Sequence, residues 1–446
     1  LKDSGYIHEK EAEWKNRKNE RAGRPAVEPL YTFNDAMDSL KFIKPVLYDQ
    51  LIELNDEMKF VFNDAGHILG SAITELWITE EDKTSKIVFS GDLGVMDRPI
   101  LRNPTIIKKA DYVIMETTYG NRVHPSNSLD VTRLMDIIRD TAKRGGTTVI
   151  PSFAVGRTQE MLYFIRQIKE QGLVHGHDGF TVYVDSPLAN EATTIFSENA
   201  YTCYDEEAMD LLNKGINPLS FQGLKTSVTT DDSRAINFDE DCKVIISASG
   251  MCDAGRIKHH LKHNLWNPRN TILFVGYQAI GTPGRALLEG AVELKLFGET
   301  VQVAAEICKM PGISGHADVN GLIEWAKAFE TRPKHVFVTH GDDTVTEIFA
   351  QRLKEELGYD ATAPFSGTEY DLLENRCIHE AVGVRIVKAT ASPKTTKAAR
   401  AYEKLLAMGR RLMSVIRKNE GCPNKDLDRF ARDIQSLCDK WDRTDI

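Results

Sequence analysis

The chain has 446 residues, which is long enough for two or three domains that each bury a core of their own. A hydrophobic content of 41% and a charged content of 27% fit a soluble globular protein, and no apolar run is long enough to cross a bilayer. The net charge of −9 gives no overall attraction to nucleic acid, although a groove needs only local positive potential.

The cysteines indicate a reducing compartment. There are seven, an odd number, and they are scattered without a C-x-x-C pair. This pattern argues against a disulfide framework or a zinc ribbon, so we expect a cytoplasmic protein. No secretory segment opens the chain.

The first predicted elements are a helix and a set of strands. Residues 8–24 mix Glu, Lys and Arg, which predicts a solvated helix; a nucleic-acid arm is the weaker alternative. Short runs rich in β-branched and aromatic residues then predict strands, each punctuated by Gly or Asp. These strands are residues 59–62, 71–78, 86–89 and 112–115.

After residue 120 the pattern becomes an alternation of strands and helices. Helices are predicted near residues 130–144 and 157–171, and strands at 147–150, 181–184, 244–246 and 271–275. Such alternation implies a mostly parallel sheet with helices on its faces. We therefore expect an inserted α/β domain at 121–312, within a first domain made of 1–120 and 313–390.

The C-terminal part, 391–446, is predicted to be a helical hairpin. A Ser/Pro/Thr/Lys segment at 390–397 looks like a linker. Beyond it, apolar residues repeat at helical spacing on both sides of a Gly-Cys-Pro break at 421–423. The first helix is basic, which indicates a docking helix more strongly than a nucleic-acid contact.

Five short polar motifs stand where apolar strands are predicted to end. They are GHILG at 66–70, SGDLG at 90–94, ETTYG at 116–120, SGHAD at 314–318 and THGD at 339–342. Alone, His67 or Asp92 would be an ordinary turn residue. Together with His340 they form a set of imidazole and carboxylate ligands that suits zinc, and a carboxylate can bridge two ions.

Glu116 and His316 suit a proton-transfer pair. Histidine can donate a proton to a leaving oxygen, and a carboxylate behind it fixes its tautomer. The alternatives are that Glu116 caps the threonines after it and that His316 only neighbours the start of a helix. Taken singly, each of these simpler roles is at least as well supported.

Two glycine-rich strings follow predicted strands, at 247–251 and 276–285. Neither has the spacing of a P-loop or of G-x-G-x-x-G. Exposed backbone N–H groups and hydroxyls there would cradle a phosphate, and simple turn formation is an equal alternative. The cluster His259, His260 and His263 favours a polar groove wall over a metal site.

The order of the five motifs, with METTYG at 115–120 and GYQAIGTPGR at 276–285, resembles the metallo-β-lactamase-fold β-CASP RNA-processing nucleases. The resemblance covers roughly residues 1–390 and is strongest to bacterial single-chain members. It implies an α/β fold, an αββα sandwich with an inserted β-CASP domain. It also implies a hydrolase with two Zn²⁺ ions that acts on RNA, with single-stranded RNA as the expected partner, no membrane, and a homodimer as a possible assembly.

The resemblance also implies roles for individual residues. His67 and Asp92 would be the third and fourth metal motifs, with Asp92 bridging both ions. His340 would complete the second metal and favours RNA over DNA, while Glu116 would support His316 at the scissile phosphate. A substrate phosphate would lie at Ser249 and Gly250.

One part of the family pattern is absent. The first metal motif, His-x-His-x-Asp-His, does not occur in the 446 residues. We expect a preceding segment of the natural protein to carry it. The alternatives are a non-catalytic RNA-binding scaffold, or another lactamase-fold hydrolase acting on an ester or thiol ester, and the large insert counts against the latter.

Overall fold

The computed structural model describes residues 1–124, 131–177, 179–310, 314–383, 408, 412, 415–416, 419 and 424–441. They belong to two compact units, one formed by Leu1–Val46 with Val384–Ile446 and the other by Leu47–Gly383. Within the described part of the chain, no helix is both long enough and apolar enough to cross a membrane.

The smaller unit is helical where it is described. Its helices are α1 (Lys2–Arg21), α2 (Phe33–Leu40) and α13 (Asn424–Trp441). The predicted charged helix is present and begins earlier than the sequence suggested. Helix α13 matches the second helix of the predicted hairpin, whereas the linker at 390–397 and most of the first helix lie outside the described residues.

The larger unit contains a seven-stranded mixed sheet in the order β1-β2-β3-β4-β5-β14-β15. Its strands are β1 (Ile52–Glu53), β2 (Met58–Asp64), β3 (Ala72–Glu80), β4 (Lys83–Phe89), β5 (Tyr112–Met115), β14 (His335–Val338) and β15 (Ala361–Thr362). Two helices pack on one face, α11 (Val319–Lys327) and α12 (Asp343–Leu357). Leu322 and Phe349 from these helices share a buried core with Val88 and Val113 of the strands.

The second sheet has six strands, all parallel, in the order β13-β10-β6-β9-β7-β8. Its strands are β6 (Thr147–Pro151), β7 (Thr181–Val184), β8 (Leu224–Thr226), β9 (Lys243–Ser247), β10 (Thr271–Phe274) and β13 (Glu306–Lys309). Helices α3 (Val131–Lys143) and α4 (Arg157–Glu170) cover one face, and α9 (Ile257–Asn264) covers the other. Both faces are buried, which explains why these strands are almost wholly apolar.

Shorter elements complete the larger unit. They are α5 (Pro187–Glu198), α6 (Ala200–Cys203), α7 (Glu206–Asn213), α8 (Thr230–Ile236), α10 (Pro283–Leu288) and the hairpins β11 (Glu293–Leu296) with β12 (Glu299–Gln302) and β16 (Glu369–Asp371) with β17 (Arg376–His379).

The strand pairing confirms the predicted α/β architecture with an insertion. Strand β14 pairs in parallel with β5, although all six strands of the second sheet lie between them in the sequence. The chain therefore forms the first five strands of the first sheet, then the whole second sheet, and then adds β14 and β15 to the first. The domain boundaries near residues 120, 312 and 390 stay a prediction.

Candidate metal and catalytic site

Four strands of the first sheet bring the predicted site residues to one edge. Strands β4, β5 and β14 are parallel neighbours, and β2 runs in their direction because two antiparallel pairings separate it from β4. The residues that follow these strands are His67, Asp92, Glu116 and His340. His316 reaches the same edge from the loop before α11, where it pairs with the loop of Gly94.

These five side chains form two overlapping clusters. Ligand atoms of His67, Asp92 and His316 lie within 4.8 Å of one another, and so do those of Asp92, Glu116 and His340. Asp92 belongs to both: its Oδ1 is 3.1 Å from Nδ1 of His340, and its Oδ2 is 4.0 Å from Nε2 of His67. A carboxylate shared by two imidazoles fits the bridging role expected of Asp92.

His67 has the features of a ligand. Its side chain is only 14% exposed, and its Nδ1 is buried without a hydrogen-bond partner in the described part of the chain. Burial, followed by the positive charge of neighbouring His316, lowers the pKa of His67. The ring is therefore neutral near neutral pH and offers a lone pair. Together with Asp92 and His340 it supplies a nitrogen and oxygen donor set that fits zinc.

Glu116 and His316 form a hydrogen-bonded pair. Nδ1 of His316 lies 3.2 Å from both Oε1 and Oε2 of Glu116. The carboxylate is buried and also accepts hydrogen bonds from the backbone N–H groups of Leu93 (2.6 Å) and Thr118 (3.2 Å). An ionised carboxylate can only accept, so Nδ1 of His316 carries the proton.

Glu116 and His316 shift each other's pKa in opposite directions. Burial alone would raise the pKa of Glu116, but the hydrogen bond and charge of His316, together with the hydrogen bonds from Thr118 and Leu93, outweigh it and the pKa is lowered. Burial alone would lower the pKa of His316, but the hydrogen bond and charge of Glu116, together with the charge of Asp92, outweigh it and the pKa is raised. The arrangement favours an ionised Glu116 beside a protonated His316.

Glycines allow the loops of the site to approach one another. A Cβ atom on Gly315 would lie 2.6 Å from Cε1 of His67, and one on Gly94 would lie 2.0 Å from the carbonyl oxygen of Gly66. The N–H of Gly94 donates to the carbonyl of Ala65 at 2.8 Å. Side chains at these two glycines would force the loops apart, so the glycines of the motifs serve close packing as well as turn formation.

His340 is held at the end of β14 in an unusual backbone conformation. Its φ is 46°, in the left-handed region that non-glycine residues seldom adopt. Its carbonyl accepts a hydrogen bond from the N–H of Thr117 at 3.1 Å, and Oγ1 of Thr118 is 3.4 Å from its Nδ1. A Cβ on Gly341 would lie 2.5 Å from Oγ1 of Thr117, so the two loops fit closely only with glycine there.

Two residues near the site were missed by sequence reasoning. Arg98 donates from Nη1 to the carbonyl of His67 at 3.2 Å and also pairs with Glu160 of α4. Nε2 of His124 lies 2.9 Å from the carbonyl oxygen of His316. His124 follows the ETTYG motif closely, which was a usable signal, whereas Arg98 carries no local pattern.

Ser249 and Gly250 lie at the C-terminal edge of the second sheet, after β9. Ser249 is half-buried and its N–H donates to the carbonyl of Ala254 at 3.1 Å. Gly250 is buried and its carbonyl accepts from Nε2 of Gln278 at 2.8 Å. Their role at a substrate phosphate stays a prediction.

The predicted polar groove wall is wrong for His260. This residue is fully buried in α9, and its Nε2 lies 2.5 Å from Oδ2 of buried Asp185. His259 packs its ring against Phe297, with centroids 4.3 Å apart. His260 therefore serves the core of the second sheet, whereas His259 and His263 are exposed on α9, and their role as a polar wall stays a prediction.

Two family models match the chain. The Beta-Casp domain matches residues 158–287, within which most of the second sheet lies. The Zn-dependent metallo-hydrolase RNA specificity domain matches residues 300–364, which contain His316 and His340.

Several curated relatives match most of the chain. Ribonuclease TTHA0252 of Thermus thermophilus is 33% identical over 318 residues, 71% of this chain and 70% of the relative. The transcription termination factor FttA of Methanosarcina mazei is 32% identical over 334 residues, 73% of this chain and 51% of the factor. An RNase J-like protein of Methanocaldococcus jannaschii is 30% identical over 345 residues, 76% of each. These findings confirm the resemblance, and the chain belongs to the β-CASP family of metallo-hydrolases.

Proposed function

We propose that the natural protein that carries this sequence is a metal-dependent ribonuclease that hydrolyses RNA phosphodiester bonds. The observation that carries the proposal is the convergence of Asp92, His67 and His340 beside the Glu116–His316 pair. A group of potential metal ligands next to a histidine with a raised pKa fits what phosphodiester hydrolysis requires. The names of the matched domain and of the Thermus relative support RNA as the substrate.

His67, Asp92 and His340 would hold metal, and two Zn²⁺ ions would share Asp92. When bound, zinc supplies Lewis-acid stabilisation of negative charge at phosphorus and lowers the pKa of the attacking water. The described residues contribute three ligands to this centre. In the family, the remaining ligands come from the His-x-His-x-Asp-His motif.

His316 would protonate the leaving ribose oxygen. Its Nδ1 is engaged by Glu116, so Nε2 is the atom available to the substrate. Glu116 keeps the ring oriented and stabilises the imidazolium. Backbone N–H donors hold Glu116 itself in place, so the pair is set before substrate arrives.

The same reasoning leads to proposals for the substrate, the assembly and the cellular location of the protein. We propose single-stranded RNA as the substrate, a phosphate contact at Ser249 and Gly250, and a homodimer as the assembly. A cytoplasmic location fits the cysteines, since the six in the described part of the chain are free thiols.

Cleavage assays on the natural protein test the proposal. With Zn²⁺ present it should hydrolyse single-stranded RNA, and His316→Ala should abolish cleavage while bound zinc stays near the wild-type amount. His379→Ala, which removes an exposed histidine of β17, serves as the control. Loss of zinc in the His316 variant would place this residue among the ligands instead.

A second candidate function is that of a non-catalytic RNA-binding scaffold. A protein without His-x-His-x-Asp-His would bind RNA as a non-catalytic scaffold. In that case the natural protein would bind RNA without cleaving it, whether or not Zn²⁺ is present, and His316→Ala would bind RNA as the wild type does.

A further inference from the structure

The loop that joins β6 to α4 presents two apolar side chains to solvent from an otherwise buried segment. Every residue from Gly146 to Arg166 is buried except Phe153, which is 45% exposed, and Val155, which is 37% exposed. Single exposed apolar residues are common on proteins. Phe153 and Val155 differ from such residues in two ways: hydrogen bonds hold the backbone of their loop, and the loop contacts two of the motifs described above.

The backbone under Phe153 is firmly held. Its carbonyl accepts hydrogen bonds from Oγ1 (2.7 Å) and N–H (3.2 Å) of Thr158 in α4. The N–H of Ser152 donates to the carbonyl of Ser247 at 3.0 Å, and Nε2 of Gln159 donates to the carbonyl of Ala154 at 3.1 Å. A fixed loop presents its side chain without a further cost in backbone entropy when a ligand binds.

Phe153 packs on the glycine-rich loop after β9, and the loop that carries Phe153 also contacts Ile68 of the GHILG motif. A Cβ on Gly250 would lie 3.2 and 3.3 Å from two carbons of the Phe153 ring, so the ring packs directly on this glycine. Three residues further along the same loop, a Cβ on Gly156 would lie 3.2 Å from Cγ2 of Ile68. Ile68 is itself 37% exposed and is the neighbour of His67 in the sequence.

We propose that Phe153 is a stacking platform for an unpaired nucleobase of the RNA, with Val155 and Ile68 forming the apolar wall beside it. The inference rests on the proposed function and adds how the substrate is chosen. An aromatic ring stacks on any base whose face is free, whereas both faces of a base in a duplex are covered by its neighbours. The position beside Gly250 and Ile68 would hold this base between a phosphate contact and the scissile bond.

The test measures RNA binding and base stacking separately. Binding of single-stranded RNA that contains 2-aminopurine is followed in the presence of a chelator, which prevents cleavage, because stacking on an aromatic ring quenches the fluorescence of this base. The variants are Phe153→Ala, Phe153→Leu and Phe153→Trp. Phe238→Ala is the matched control, since Phe238 is 82% exposed and lies in the segment entering β9 at the opposite edge of the sheet.

We expect Phe153→Ala to weaken binding by roughly 5- to 100-fold and to abolish the quenching. Phe153→Leu should behave like Phe153→Ala, because it keeps apolar bulk and loses the ring. Phe153→Trp should retain both signals, and Phe238→Ala should match the wild type. If Phe153→Ala does not fold, the comparison of Phe153→Leu with Phe153→Trp decides whether the aromatic ring is required.

Two results would overturn the inference while leaving the ribonuclease proposal intact. One is equal binding and equal quenching in the wild type and in Phe153→Leu. The other is a duplex of the same sequence bound as tightly as the single strand. Failure of the wild-type protein to bind any RNA would instead contradict the proposed function.

Discussion

Nδ1 of His316 lies 3.2 Å from both carboxylate oxygens of Glu116, although the two residues are 200 positions apart in the sequence. The whole second sheet is built between them. Hydrogen bonds within the first sheet's edge fix the contact, since Leu93 donates to Glu116 and also accepts from the N–H of Ala317 at 2.8 Å. The proton-transfer pair therefore depends on correct return of the chain after the insert.

Substitution Glu116→Gln should move the alkaline limb of the pH–rate profile to lower pH. A general acid must be protonated, so cleavage falls as pH rises through the pKa of His316. Glu116 raises that pKa, and the neutral amide removes the charge that does so. The profile of kcat against pH measures the shift. Glu324→Gln, at an exposed position of α11, is the control.

Substitution Asp92→Asn should remove more zinc than His340→Ala. Asp92 belongs to both clusters, whereas His340 belongs to one, and an amide is a weaker ligand than a carboxylate. Zinc bound per protein after dialysis, determined by atomic emission, measures the difference. Equal losses in the two variants would mean that Asp92 does not bridge.

The strand-end motifs could be predicted because their signals are local. Strands β5 and β14 are short, mostly apolar runs that end just before Glu116 and His340, and parallel strands bring such ends together. The carboxylate and imidazole types then indicated the chemistry. The sequence carried no comparable signal for residues that act through distant partners.

Arg98 and Asp185 are examples of what the sequence did not reveal. Arg98 meets Glu160 across 62 positions, and Asp185 meets His260 across 75. Neither pair has a spacing or a local pattern, because both depend on how α4 and α9 dock on the second sheet. Because both pairs are buried, removing one partner should produce a measurable loss in the free energy of unfolding.

Glu160→Gln should destabilise the protein more than Arg98→Met. Glu160 is buried between Arg98 and Arg157 and pairs with both. Removing the carboxylate leaves two buried guanidinium groups without it, which costs about 3–5 kcal/mol, whereas Arg98→Met leaves Glu160 paired with Arg157. The free energy of unfolding in urea measures the order, and the reverse order would contradict this account.

Arg98→Met should affect the site despite its smaller effect on stability. Arg98 donates to the carbonyl of His67 at 3.2 Å, so its loss frees the backbone of a metal ligand. We expect weaker zinc binding at unchanged fold, by about 10- to 100-fold as for other residues that orient ligands. Zinc competition with a fluorescent chelator measures it, and Arg352→Met, a half-buried arginine of α12, is the control.

Asp185 should contribute to stability at neutral pH and lose this contribution in acid. The buried carboxylate accepts hydrogen bonds from Ser227 (2.5 Å), Ser233 (2.6 Å) and Arg256 (2.7 Å), in addition to its contact with His260. Burial alone would raise the pKa of Asp185, but His260 and the two serines outweigh it and the pKa is lowered.

The lowered pKa of Asp185 determines the direction in which stability changes with pH. In the unfolded chain Asp185 titrates near pH ~4. Because its pKa is lower in the folded state, its stabilisation is present above that pH and is lost as pH falls toward the folded pKa. Asp185→Asn should therefore lower the free energy of unfolding by about 3–5 kcal/mol near neutral pH and reduce its decline between pH ~4 and pH ~2. Urea unfolding across this range tests it, with exposed Asp210→Asn of α7 as the control. Parallel acid curves for Asp185→Asn and the wild type would show that this carboxylate is not ionised in the fold.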